Sequence, residues 1–140
     1  MSRTTRLGPD MLHKLPQPVR TPAYDRAALR AGMAHIGVGA FHRSHQAEYT
    51  DDLLHENFDR WGVVGINIRE PRLSDTLGQQ SGLYTRLIRE NERVDARVIG
   101  SIIGVVDSQD GPEPALSVLS APDIDVVTMT VTEKGYRHRP

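Results

Sequence analysis

The 140-residue chain contains no cysteine, which excludes disulfide frameworks and metal sites built on thiolates. Long hydrophobic runs are also missing, because no stretch approaches the roughly 20 apolar residues of a membrane-spanning helix. Neither charge sign is in excess, since 17 Lys and Arg face 18 Asp and Glu for a formal net charge of −1. We therefore expect no membrane partner and, because the basic residues lack interleaved aromatics, no nucleic-acid partner.

Residues 1–22 are basic and hold four of the nine prolines, but they lack the continuous apolar core of a signal peptide. This segment is predicted to form an extended N-terminal arm, with a partly disordered leader as the alternative. The chain length suits one domain, which we expect at residues 23–140. A soluble cytoplasmic protein is the default interpretation.

Apolar runs alternate with helical periodicity along this domain. Strands are predicted at Met33–Val38, Trp61–Ile68 and Asp125–Thr132, and helices at Tyr24–Arg30, from Ala40 to about Asn57, from Pro71, and at Pro112–Leu119. Two further alternating runs, Leu83–Arg89 and Val94–Val106, are predicted to pair as a hairpin. Strands that alternate with helices predict an α/β fold with a mostly parallel, doubly wound sheet, into which the hairpin is inserted.

The segment HIGVGAFHRSHQ, residues 35–46, links the first strand to the long helix. Gly37 and Gly39 match the first two positions of the G-x-G-x-x-G fingerprint, whereas the third position is His42. Glycine lets the backbone approach a diphosphate closely, and a helix N-terminus offers unpaired N–H groups to it. The strand–turn–helix context favours dinucleotide binding, while a simple turn or bulge is the alternative.

Two charged positions bear on the choice of cofactor. Arg43 could reach a phosphate or remain in solvent. Glu70 follows the second strand, where an acid accepts hydrogen bonds from the ribose hydroxyls and repels a 2′-phosphate. This favours NAD, although Arg69 and Arg72 flank Glu70 and could accommodate NADP, and Glu70 could instead cap the next short helix.

Other clusters are weaker. His42, His45 and Glu48 are three apart, which spreads them around a helix, so we expect no metal site. The acids Glu48, Asp51 and Asp52 are interpreted as a solvated helix face. The segment Thr132 to Tyr136 follows the last strand and is predicted to be a cofactor-side loop, with a polar turn around Gly135 as the alternative.

Several segments in order and spacing resemble the N-terminal half of the mannitol dehydrogenase family, the long-chain polyol dehydrogenases that include fructuronate and tagaturonate reductases. They are GVGAFHRSHQAEYTDDL, WGVVGINIRE, Gln80 with Leu83, Tyr84 and Thr85, RVIGSI and TVTEKGY. The resemblance runs from about Tyr24 to Tyr136 and implies a Rossmann-type NAD(P)-binding domain.

The resemblance also implies positions for the cofactor. It places Glu70 at the ribose-binding end of the second strand. It places Gly37, Val38, Gly39, Ala40, Phe41 and Arg43 on the phosphate loop, and Thr130, Val131, Thr132, Glu133 and Lys134 on the nicotinamide side. Members of the family transfer hydride between a nicotinamide and a secondary alcohol of a polyol or sugar acid.

The family's catalytic lysine, with its Asn and His neighbours, belongs to a second, mostly helical domain beyond the matched part. We therefore expect no catalytic residue in this chain and little activity from it alone. A partial dinucleotide domain is expected to leave a sheet edge open. The alternatives left open are a cofactor-binding fragment, a non-catalytic remnant, and one half of a split enzyme that needs a separately encoded C-terminal domain.

Overall fold

A computed structural model describes residues 5–56, 59, 61–69, 71–132 and 135. The strands are β1 (Arg30–Ile36), β2 (Trp61–Asn67), β3 (Tyr84–Glu90), β4 (Arg93–Ile99), β5 (Ile102–Asp107) and β6 (Val126–Met129). The α-helices are α1 (Ala40–Ser44), α2 (Gln46–His55) and α3 (Glu113–Leu119), and three short 3-10 helices lie at Pro9–Lys14, Arg26–Ala28 and Gly78–Gln80.

Four strands form a parallel sheet in the order β5-β2-β1-β6. The chain moves outward from β1 through β2 to β5 and then returns to place β6 on the other side of β1. The strand order therefore reverses between β1 and β6, and open α/β sheets bind ligands at the carboxyl ends of strands at such a point. The predicted α/β fold with a mostly parallel sheet is confirmed.

The core lies between this sheet and α2. Its fully buried members come from separate elements and are listed here: Val38, Ala47, Val63, Leu77, Ile99 and Ile102. Burying each of these aliphatic side chains, apart from the smaller alanine, adds about 1.5–3 kcal/mol to the free energy of unfolding relative to leaving it exposed. The apolar run of β2 is buried along most of its length, as expected for a strand covered on both faces.

The predicted hairpin is only half right. β3 and β4 pair antiparallel as predicted, and Asn91 adopts φ 54° in the turn between them. The predicted continuous run Val94–Val106 is wrong, however, because it breaks after β4 and continues as β5 in the parallel sheet. At the break the amide of Gly100 donates to Asp51 Oδ1 at 2.8 Å, and Ser101 Oγ donates to the Ala47 carbonyl at 2.6 Å.

The predicted long helix is also interrupted. His45 has φ −130° and ψ −91°, so the chain changes direction between α1 and α2. The helices predicted at Tyr24–Arg30 and from Pro71 are wrong as α-helices, because the described residues there form turns and short 3-10 helices. In the N-terminal segment, Arg20 adds to β4 through two backbone hydrogen bonds, its amide to the Ala96 carbonyl and its carbonyl from the Val98 amide.

The sequence interpretation of a solvated acidic face holds for Asp52, which is exposed, but is wrong for Asp51 and Glu48, which are largely buried. Asp51 is fully buried and accepts from Arg97 Nη2 at 2.5 Å. Asp52 accepts from Arg97 Nη1 at 2.5 Å, and Glu48 pairs with Arg86 of the hairpin. The three carboxylates therefore bind the hairpin to the helix, and only that of Asp52 also faces water.

Candidate functional site

The glycine turn lies at the carboxyl end of β1, beside the strand-order reversal. Gly37 has φ +95°, a left-handed conformation that side chains rarely adopt, and its amide donates to the Ile66 carbonyl at 2.9 Å. The Gly39 amide donates to the Gly37 carbonyl at 2.7 Å, which closes the turn. These bonds fix a sharp bend immediately before α1.

Gly39 is the residue that precedes α1, and a Cβ at this position would meet no atom within 4 Å. Open space therefore lies directly in front of the helix. The amides of Ala40 and Phe41 belong to the first turn, where no earlier carbonyl is in reach, so they are available to an acceptor. The turn presents bare backbone to solvent, as a diphosphate-binding loop requires.

Val38 lies in the same turn, but its side chain is 1% exposed and belongs to the core. It packs where a Cβ on Gly65 of β2 would overlap it. Only the backbone of Val38 can therefore face a ligand.

His42 occupies the third fingerprint position and is buried with 1% exposure. Its ring stacks on His35 of β1, with centroids 3.6 Å apart and planes at 17°. Helix α1 therefore packs on the strand through two imidazoles where the fingerprint glycine would allow direct contact. Burial, followed by the proximity of His35, lowers the pKa of His42 to about 4.

His35 connects β1 to β6. Its Nδ1 lies 2.7 Å from Thr128 Oγ1 and its Nε2 lies 2.9 Å from Thr130 Oγ1. Thr128 Oγ1 in turn donates to Gln46 Oε1 at 3.2 Å. Burial lowers the pKa of His35, while the nearby Gly37 carbonyl opposes the shift, so the ring is neutral near pH 7.

A cavity of about 290 Å³ opens between α1 and the end of β6. Its lining comprises His35, Phe41, His42, Gln46, Met129, Thr130 and Val131. Phe41 and Met129 are 64% and 60% exposed, respectively, so the cavity has an apolar rim over a polar floor. This combination is typical of a small-molecule cleft.

Arg43 lies beside Tyr84 of β3 and does not line this cavity. Its guanidinium carbon is 5.8 Å from the ring centroid of Tyr84, and its carbonyl accepts from the Tyr84 hydroxyl at 2.5 Å. Its Nε is 3.4 Å from the Gly39 carbonyl. The cation is therefore held beside the glycine turn.

Three predicted positions, Glu70, Glu133 and Lys134, lie outside the described residues. Thr130 and Val131 line the cavity, and Thr132 follows them. No cluster of three or more His, Asp or Glu side chains that could hold a metal occurs in the described part of the chain. Among those same residues no helix has the length and apolarity needed to cross a membrane.

Sequence reasoning missed His35, Gln46, Thr128 and Met129. A signal for two of them was present: His35 is the polar residue in an apolar strand, and Thr128 alternates with Thr130 in a period of two, which places both on one face of β6. The pairing of His35 with Thr128 across β1 and β6 depends on strand order, which a single sequence does not show.

Known proteins of similar sequence indicate the family of this chain. The family model for the mannitol dehydrogenase Rossmann domain matches residues 31–140. A mannitol 2-dehydrogenase of Phaeosphaeria nodorum is 40% identical over 123 residues, which cover 86% of this chain and 22% of that protein. A D-mannonate oxidoreductase of Escherichia coli is 37% identical over 123 residues, covering 85% of this chain and 25% of that protein.

Solved structures agree with this. The Pseudomonas fluorescens mannitol 2-dehydrogenase, in a ternary complex with NAD and D-mannitol, superposes with a TM-score of 0.84 at 37% identity. That alignment covers 94% of this chain and 28% of the other. The chain thus spans about a quarter of the length of the relatives it matches. Since the family model covers more than half of it, the chain belongs to the mannitol dehydrogenase family through that family's Rossmann domain.

Proposed function

We propose that the turn at Gly37–Gly39 and the cavity between α1 and β6 bind NAD, as the first part of the cofactor domain of a polyol dehydrogenase. The observation that carries this proposal is the open space in front of Gly39 at the start of α1, located where the strand order reverses. A diphosphate there would accept from the amides of Ala40 and Phe41. Arg43 would add a positive charge beside the turn.

We propose the remaining cofactor positions from the family resemblance and from the lining of the cavity. Thr130, Val131 and Thr132 follow β6, and the first two line the cavity, so we assign the three to the nicotinamide side, together with Glu133 and Lys134. Glu70 is proposed to accept from the adenosine ribose, which favours NAD over NADP because a carboxylate repels a 2′-phosphate. When bound, the cofactor accepts or donates a hydride, while the residues of this chain hold it and shield it from water.

The proposed reaction is hydride transfer between the nicotinamide and a secondary alcohol of a polyol or sugar acid. The relatives extend well beyond the matched portion, and we propose that catalytic groups reside in their remaining part. We accordingly expect this chain alone to bind cofactor weakly and to turn over no polyol. A cytoplasmic location, favoured by the sequence, remains a prediction that cell fractionation can check.

Calorimetric titration with NAD and NADP tests the binding proposal, using Gly39→Ala as the diagnostic variant. Because a methyl group at residue 39 meets no protein atom, we expect stability within about 1 kcal/mol of wild type. The methyl would occupy the space proposed for the diphosphate, so NAD affinity should fall at least about tenfold, equivalent to about 1.4 kcal/mol.

Gly78→Ala is the matched control, because Gly78 lies in the separate 3-10 helix Gly78–Gln80 and its added methyl would be 3.6 Å from Ser74 Cβ, an ordinary contact. It should leave NAD binding unchanged. Equal NAD affinity in wild type and Gly39→Ala, or no heat of binding from a folded wild-type sample, would overturn the proposal.

The activity proposal is tested by following NADH oxidation with D-fructose, first with the chain alone. A separately produced C-terminal portion of a mannitol 2-dehydrogenase relative is then added. Turnover only in the mixture supports a role as a cofactor-binding part that needs a partner domain. Turnover by the chain alone at the rate of a full-length relative contradicts it.

A further inference from the structure

Four polar side chains form a continuous line of hydrogen bonds from α2 to the floor of the cavity. Gln46 Oε1 lies 3.2 Å from Thr128 Oγ1, which lies 2.7 Å from His35 Nδ1. On the opposite edge of the same ring, His35 Nε2 lies 2.9 Å from Thr130 Oγ1. Thr130 is the last member of this hydrogen-bonded series and forms part of the cavity wall.

With Gln46 Oε1 facing Thr128 as in the structure, the number of protons along this line gives the direction of every bond. An amide oxygen only accepts, so Thr128 must donate its single hydroxyl proton to Gln46. Thr128 can then only accept from His35, which places the imidazole proton on Nδ1. A neutral imidazole has one N–H, so Nε2 is an acceptor and the hydroxyl proton of Thr130 must point at it.

The surroundings of His35 favour this one distribution of protons over the alternatives. The side chain is 3% exposed, and His42 covers one face of its ring, so bulk water does not compete for the ring nitrogens. A protonated His35 would donate to both threonines and would free the Thr130 proton. Burial disfavours that charged form.

From this geometry we infer that Thr130 faces the cavity as an obligate hydrogen-bond acceptor and so selects a ligand group that donates. This inference rests on the proposed function and deepens it. For a nicotinamide dinucleotide, the donors of suitable chemistry are the carboxamide N–H and a ribose hydroxyl. Gln46, Thr128 and His35 are positioning residues, since they act only by fixing the proton of Thr130.

The first test needs no ligand. The ¹⁵N NMR spectrum of the wild-type chain near pH 7.5, with His35 assigned through His35→Asn, should show the proton on Nδ1. In Thr128→Val, a near-isosteric change that removes the acceptor for Nδ1–H, the proton should move to Nε2 and donate to Thr130. A wild-type His35 with its proton on Nε2 overturns the inference, because the line then runs in the opposite direction.

The second test measures binding of NAD and of its 3-acetylpyridine analogue, in which a methyl ketone replaces the carboxamide. Thr130→Val should weaken NAD binding about tenfold, which corresponds to one lost hydrogen bond, and Thr130→Ser should restore it. If the carboxamide is the donor, Thr130→Val leaves the analogue's affinity unchanged. If a ribose hydroxyl is the donor, both affinities fall equally.

The outcomes separate the two proposals. Unchanged affinity for both ligands in Thr130→Val overturns the acceptor role even when the wild-type chain binds NAD. Absence of NAD binding by the wild-type chain overturns the proposed function and the ligand assignment together. The position of the His35 proton then still decides whether the line of hydrogen bonds has the stated direction.

Discussion

At the scale of single residues, the buried pair His35 and His42 is the least expected feature of the molecule. No described residue makes a hydrogen bond of good geometry to either ring nitrogen of His42, although Gln46 lies near enough to oppose the lowering of its pKa. An unsatisfied buried polar atom costs about 1–3 kcal/mol. The favourable part of the arrangement is the ring stack on His35. His42 therefore contributes to packing through its flat ring more than through hydrogen bonds of its nitrogens.

The pH dependence of stability follows from the lowered pKa of His42, about 4 in the folded chain against an ordinary 6.5. Between these values the unfolded chain binds more protons, so stability falls as the pH decreases from 6.5 towards 4 and levels off below the folded pKa. Urea unfolding at pH 7.5 and pH 5 should show a loss of about 2 kcal/mol from this group alone.

His42→Phe retains an aromatic ring for the stack and removes the titrating group and the two unpaired nitrogens. The variant should be at least as stable as wild type at pH 7.5 and lose less stability on moving to pH 5. An identical pH dependence in both proteins would show that His42 is not the group responsible.

At the scale of elements, the most informative feature is the break between β4 of the hairpin and β5 of the parallel sheet. The β-branched run through β4 and β5 has no proline or charge cluster at its middle, so its pattern predicts one strand. The break occurs because Asp51 and Ala47 of α2 bind Gly100 and Ser101. Contacts from a helix about 50 residues earlier in the chain are outside the reach of local pattern analysis.

Gly82 marks where β5 and the turn before β3 come into contact. It has φ +79°, and a Cβ there would overlap the Ile102 carbonyl oxygen, which is backbone and cannot rotate away. Gly82→Ala should therefore destabilise the chain by more than about 2 kcal/mol, since strain and overlap act together. Thermal unfolding followed by circular dichroism measures this.

Gly104→Ala in β5 is the control for this change. Its Cβ would lie 4.0 Å from the side chain of Val64, an ordinary contact distance. It should alter stability by less than about 1 kcal/mol. Equal melting temperatures for the two variants would mean that the close approach at Gly82 is relieved by backbone movement.

At the scale of the whole molecule, one buried carboxylate joins three parts of the chain. Asp51 of α2 accepts from Arg97 of the hairpin, from the Gly100 amide at the sheet crossover, and from the Tyr24 hydroxyl ahead of β1. Burial and then the bond to Asp51 raise the pKa of Tyr24 above its usual range. The hairpin is therefore fixed to the sheet by charge as well as by the core.

Arg97→Met should be strongly destabilising, because it leaves the fully buried Asp51 carboxylate without its cation. We expect a loss of about 3–5 kcal/mol in urea unfolding. Asp125→Asn is the control, since the pair of Arg30 with Asp125 is 40% and 50% exposed and such pairs contribute at most about 1 kcal/mol. Similar losses of unfolding free energy in both variants would show that the buried Arg97–Asp51 pair contributes no more than an exposed pair.

The outer edge of the sheet bears on solubility. Among the described residues β6 pairs only with β1, and Val127 and Met129 on it are 48% and 60% exposed. Exposed strand edges with apolar side chains are templates for further pairing. The open edge expected from the sequence is therefore found at the strand that borders the candidate cofactor cavity.

The sequence by itself determined the alternation of strands and helices, the position of the glycine turn and, through its motifs, the family. These features depend on local spacing: glycine permits positive φ at residue 37, and apolar runs bury themselves as strands. Only the tertiary structure decided that His35 meets Thr128 and Thr130, that Asp51 is buried with Arg97, and that β5 leaves the hairpin. Each of these depends on which strands become neighbours, and strand order arises from the packing of residues far apart in the chain.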